Sequence, residues 1–125
     1  MTLSTIQFDS LLVALLATYN YSLRKAWELR DKLRRSGLCD PDFVLSQDVE
    51  QVGNLLRQAG YDRGGITYII APRVISLMGA LKSGHFDTLP MLVEKQDKQK
   101  LVDLVVKVKG MGPRTADLVW ELLKP

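Results

Sequence analysis

The chain holds a single cysteine and a single histidine among its 125 residues. One thiol, Cys39, cannot close an internal disulfide, and no Cys/His cluster exists for zinc or an iron–sulfur centre. No metal and no cofactor are therefore expected. His85 stands in Ser83-Gly84-His85, a connecting stretch by composition, so histidine-dependent nucleophilic catalysis would have only a loop residue to run through. Strand signals are scarce. No hydrophobic run approaches the roughly twenty residues a membrane span needs. Leu11 to Ala17 is apolar but lacks the basic flank and the small-residue cleavage site of a secretory signal. These absences predict a cytoplasmic protein with no membrane partner. No basic run exceeds two residues, so any anion-binding surface must be assembled by folding.

What is present describes a globular chain. Lys and Arg number 17 against 14 Asp and Glu, a net charge of +3. That leans mildly toward an anionic partner. The hydrophobic share of 46% and the charged share of 25% argue against disorder, and the length suits one domain over residues 1–125. Helical periodicity is nearly continuous, which predicts an all-α fold of about seven or eight helices. Phe8, Leu11, Leu12, Leu15 and Leu16 mark a buried first helix. Thr18-Tyr19-Asn20-Tyr21 breaks it. Ser22 caps a second helix over 23–35, ended by Gly37. Asp40-Pro41 opens a short turn through Leu45. A helix over 46–59 turns Val49, Val52, Leu55 and Leu56 inward, and Gly60 closes it. Asp62-Arg63-Gly64-Gly65 reads as a flexible connector. A long helix follows over 66–82, kinked near Pro72. A short helix over 89–93 and another over 98–107 complete the run. Internal repeats and low-complexity tracts are missing.

The densest signal is the stretch from Val105 to Val119. It reads as an apolar helix, a tight Gly110-Met111-Gly112 hairpin over 109–113, and a second helix opening at Pro113. The two glycines allow positive φ and leave the turn's amides open to a ligand. Pro113 suits the first helical position, where its missing N–H costs nothing. The unpaired N–H groups and positive dipole end of that helix favour an anion, and Lys107, Lys109 and Arg114 add charge around it. A backbone-built anion site suits a nucleic-acid phosphate. A plain αα-hairpin is the simpler reading. A nucleotide loop is disfavoured, because the Walker spacing is missing.

Gly110-Met111-Gly112-Pro113-Arg114-Thr115-Ala116 resembles the helix-hairpin-helix motif. The order of parts also matches. Phe8 to Leu16, a polar break, a helix bearing Trp27, Leu56-Arg57-Gln58-Ala59-Gly60-Tyr61, a long helix and the hairpin together resemble the helix-hairpin-helix DNA glycosylase superfamily, endonuclease III-like and adenine glycosylase-like. The resemblance spans Gln7 to Trp120. It implies a protein that bends double-stranded DNA and flips a damaged or mispaired base, at an unstacking cost that is least at a lesion. Gly110 and Gly112 would clamp a phosphate, with Met111 as the apolar plug between the two helices and Lys107, Lys109, Arg114 and Thr115 around it. Asn20 falls where the family fills the gap left by the flipped base, unless it merely caps the next helix. Tyr19 and Tyr21 either stack on bases or pack on the core.

Two departures limit the chemistry that the resemblance implies. Bifunctional members form a Schiff base through a lysine two residues beyond the second hairpin glycine, and that position is Arg114, which stays protonated. The family's essential aspartate lies about eighteen residues further on, five turns by the helical rise, beyond Pro125. Asp117 and Glu121, at i, i+4 on the second hairpin helix, are the nearest substitutes as catalytic acids, or else a solvated face. Three functions follow as alternatives. They are a minimal glycosylase-like enzyme, a non-catalytic DNA-binding module, and a protein-interaction domain that keeps only the fold. A homodimer or a partner chain covering the missing terminal helices is a further expectation.

Overall fold

The computed structural model describes Leu3 to Pro125. Among the described residues the chain is all-helical, with nine helices and no strand. They are α1 (Thr5–Leu16), α2 (Leu23–Glu28), α3 (Arg30–Arg35), α4 (Pro41–Leu45), α5 (Val49–Gln58), α6 (Gly65–Lys82), α7 (Leu89–Glu94), α8 (Lys98–Val106) and α9 (Pro113–Leu123).

α1 is the axis of the core. Every residue from Asp9 to Ala17 is buried, and the helix packs against α9, α2 and α6. A helix that is apolar on all sides has no solvent face to offer and must be enclosed. Its start is fixed by a reciprocal capping box, in which Ser4 Oγ accepts from the Gln7 amide and Gln7 Oε1 accepts from the Ser4 amide. The one charge in this helix, Asp9, is 2% exposed and accepts a hydrogen bond of 2.6 Å from Arg34 Nη2 on α3.

Several sequence expectations need correction. The helix expected over 23–35 is divided at Leu29. Arg30 Nε takes the Trp27 carbonyl at 2.9 Å while its guanidinium lies 3.9 Å from the centre of the Trp27 ring. The ladder tightens there to i→i−3 bonds, with the Leu29 amide on the Ala26 carbonyl at 3.2 Å, and beyond the break Arg30 and Arg34 both reach Asp9. α5 starts at Val49, not Ser46, because Asp48 forms the capping box with Gln51. Val49 is exposed rather than inward, since it stands on the first turn beyond the packed face. The connector at Asp62–Gly65 is a fixed turn. The Arg63 amide donates to Thr67 Oγ1 at 2.7 Å and Asp62 Oδ1 accepts from the Gly64 amide at 3.2 Å.

α6 runs unbroken through Pro72, although Pro72 supplies no N–H to the carbonyl four residues back. With 18 residues it is long and apolar enough to cross a membrane by length and composition, contrary to the sequence expectation. In this fold it packs against α5, α4 and α1, burying Thr67, Ile70, Ala71, Val74, Leu77 and Met78.

Candidate nucleic-acid interface

The candidate interface is built on the α8–α9 hairpin. Val108 closes the end of α8, and the Met111 amide donates to the Val108 carbonyl at 3.0 Å, so the chain turns back within three residues. Gly110 carries the turn at φ +90°, where an L side chain is strained. Gly112 does not. It sits at φ −99°, ψ −174°, ordinary extended backbone, as the residue that opens α9. The sequence reading of positive φ thus holds at Gly110 and is corrected at Gly112. Met111 is 3% exposed and joins the core cluster between α8 and α9, the plug expected of it. Thr115 is equally buried, so it supports the hairpin from within.

The amides are the hairpin's chemistry. Those of Lys109, Gly110 and Gly112 donate to no protein acceptor among the described residues. No side chain caps α9, so its first-turn amides at Arg114 and Thr115 also lack a side-chain acceptor. A Cβ built on Gly112 would meet nothing within 4 Å. The backbone there faces open space. Lys107, Lys109 and Arg114 are exposed and form no ion pair among the described residues. Most other surface cations are paired, as in Arg24–Glu28, Arg57–Asp62 and Lys82–Asp42. Three uncommitted cations thus stand beside the hairpin's uncommitted donors, while Lys25, Lys32, Arg35 and Lys95 are also exposed elsewhere without an ion pair among the described residues.

A second element lies beside the hairpin. The polar break after α1 is a tight turn in which two consecutive non-glycine residues, Tyr19 and Asn20, adopt φ of +61° and +63°. Left-handed backbone costs roughly 1–2 kcal/mol for an ordinary residue and less for Asn. Arg63 holds the turn in place. Its Nη1 donates to the Thr18 carbonyl at 2.5 Å and its Nη2 to the Tyr19 carbonyl at 2.6 Å. Tyr61 Oη, which donates to the Leu16 carbonyl at 2.5 Å, completes the cluster. Burial pushes the Tyr61 hydroxyl's pKa up, with the neighbouring Arg63 opposing.

The fates of the turn residues separate. Ser22 is the cap of α2, accepting from the Lys25 amide, so Asn20 is free of that role and projects exposed from the turn. Tyr21 packs edge-on against Tyr61 at 5.1 Å between ring centres. Tyr19 is 47% exposed.

Arg73 on α6 joins the two elements, and no motif marked it in the sequence. Its stem lies on the hairpin, so a Cβ at Gly110 would fall 2.5 Å from Arg73 Cγ. Its Nη2 donates to Tyr19 Oη at 2.7 Å. Ile69, Pro72, Arg73 and Ser76 line a groove of about 520 Å³ with Lys109 and Gly110. Their spacing along one helix face was the available signal, but it is also the spacing of a core stripe.

The suggested acids are not brought into this groove. Asp117 and Glu121 are exposed on the outer face of α9. Asp117 Oδ1 lies 3.9 Å from Lys98 Nζ, and Glu121 Oε2 lies 3.0 Å from Lys124 Nζ. Neither has the enclosed setting that tunes a catalytic carboxyl. His85 hydrogen-bonds the Leu104 carbonyl through Nε2 at 2.8 Å and packs edge-on to Phe86, a structural position between α6 and α8. Cys39 is half-buried, and burial raises its thiol to about 11. No group of three or more potential metal ligands occurs among the described residues. Compared with family models, curated proteins and solved structures, the chain finds no match.

Proposed function

We propose that this protein binds double-stranded DNA by gripping a backbone phosphate at the Gly110-Met111-Gly112 hairpin, as a relative of the helix-hairpin-helix DNA glycosylases. The observation that carries this reading is Gly112. Its φ is open to any residue and a Cβ there would touch nothing, so neither strain nor packing demands glycine at that point, beyond the mild preference of a helix N-cap. A ligand that must approach the backbone closely does need it. The neighbouring free amides and the unpaired Lys107, Lys109 and Arg114 give that ligand negative charge and oxygen acceptors. Binding without base excision is the activity that the geometry supports best. Asp117 and Glu121 stand ion-paired on an exposed face, and Arg114 is no amine nucleophile. Recognition of damaged or mispaired bases would fall to the Tyr19–Asn20 turn.

Gly112→Val tests this reading. The variant should stay folded and lose no more than about 1 kcal/mol, the preference for glycine over valine at a helix N-cap. Its affinity for duplex DNA should fall roughly tenfold, the worth of one or two charge-assisted hydrogen bonds, and by the same factor on every sequence. A folded Gly112→Val protein with parental affinity would place the DNA surface elsewhere. Borohydride treatment of the parent on an abasic duplex should trap no covalent adduct.

A further inference from the structure

The guanidinium of Arg73 has five N–H donors in a planar fork. Among the described residues it makes one hydrogen bond, from Nη2 to Tyr19 Oη at 2.7 Å, and it has no carboxylate partner. Its stem is pressed onto Gly110, where an added Cβ would lie 2.5 Å from Cγ and 2.9 Å from Cδ. The head is thus anchored beside the hairpin's free amides with most of its donors uncommitted. On the other side, its Cζ lies 5.2 Å from the centre of the Tyr19 ring. Tyr19 is held by its carbonyl, through Arg63, and by its hydroxyl, through Arg73, while much of the side chain stays in solvent. A strained, exposed aromatic gripped at both ends is oriented rather than loose.

From this geometry we infer that Arg73 is a phosphate ligand of the hairpin and the positioning residue for Tyr19, so that backbone grip at Gly110 and base stacking at Tyr19 act as one unit. The inference rests on the DNA-binding reading above. A guanidinium can bond a phosphate oxygen bidentately and still keep one Nη for the tyrosine hydroxyl. A phosphate on the hairpin would then stiffen Tyr19, and the tyrosine would hold Arg73 ready for the phosphate. Stacking of an unpaired base on the ring supplies the second contact.

The experiment is a double-mutant cycle in duplex binding across a salt series, on a fully paired duplex and on the same duplex with one unpaired base. Arg73→Met keeps the stem on Gly110 and removes the charge. It should weaken both duplexes about tenfold and reduce the slope of log affinity against log salt by about 1. Tyr19→Phe keeps the ring and removes only the hydroxyl. It should weaken the duplex with the unpaired base about threefold and the paired duplex by a smaller factor, through the lost hold on Arg73. In the Arg73→Met background, Tyr19→Phe should have no further effect. A purely structural contact would shift the melting temperature while leaving the salt slope intact. A parental salt slope in folded Arg73→Met, or losses that simply multiply in the double variant, would overturn the inference and leave the Gly112 result standing. A parent with no duplex affinity would overturn both readings.

Discussion

The hairpin at Val108–Pro113 and the turn at Thr18–Tyr21 both reverse the chain between helices, and both need positive φ. They meet that need differently. The hairpin places the strained conformation on Gly110 at φ +90°, where no Cβ opposes it. The turn places it on Tyr19 and Asn20 and relies on Arg63 and Arg73, which lie 44 and 54 residues away in sequence. A glycine turn is held by its own backbone. A turn made of side-chain-bearing residues persists only if tertiary contacts over-determine it, and such turns cluster at functional sites. The difference separates a turn held by its own backbone from a turn held by tertiary side-chain contacts.

The largest effect expected comes from the hairpin plug. Met111→Ala removes a side chain that is 3% exposed between α8 and α9, and should cost about 3 kcal/mol. Chemical denaturation would measure it. Near-normal stability would mean that the hairpin stands without its plug, as a purely backbone structure.

Next is the latch of the turn. Arg63→Met keeps an apolar stem but loses the bonds to the Thr18 and Tyr19 carbonyls, and should cost about 2 kcal/mol. Amide hydrogen exchange should rise at Thr18–Tyr21 and stay unchanged at Lys109–Pro113. Equal loosening of both regions would dissolve the distinction between them.

A smaller pair of substitutions probes strain alone. Asn20→Ala should destabilise by about 1 kcal/mol, because alanine tolerates the left-handed region poorly, and Asn20→Gly should lie within about 0.5 kcal/mol of the parent. If alanine and glycine behave alike, the φ of +63° costs nothing in this turn.

The last effect lies away from both regions and is confined to alkaline pH. Burial holds the Cys39 thiol at about 11 against an ordinary 9.0. A raised acid favours its protonated form in the folded state. That contribution is complete below the unfolded value and is lost as pH rises through the folded one. Stability should therefore decline between pH 9 and about 11 in the parent, and less in Cys39→Ala. Alkylation of Cys39 should stay slow until that range. Fast alkylation at neutral pH would contradict the burial.

Local chemistry made much of this protein legible from the chain. The periodic Leu and Val positions of α1, Ser22 before α2, Asp40-Pro41 before α4 and Pro113 opening α9 each act through neighbours within four residues, so sequence spacing alone specifies them. The Gly-Met-Gly turn and its buried plug belong to the same class. Expectations failed where a competing geometry or partner intervened. The second helix tightens and divides at Leu29, and α5 starts behind Asp48 rather than at Ser46 because Asp48 has Gln51 to answer it.

The site divides along the same line. Its backbone half, Gly110 and Gly112 with the free amides, was determined by the sequence, because φ preference and helix ends are local properties. Its side-chain half was decided only by the tertiary structure. Nothing in Ile69-Ile70-Ala71-Pro72-Arg73 announces that one arginine on a core helix will rest on a hairpin glycine and bind a tyrosine at the far end of the chain. That contact exists because α1 packs on both α6 and α9. Packing is a property of the whole core, so no window of sequence contains it.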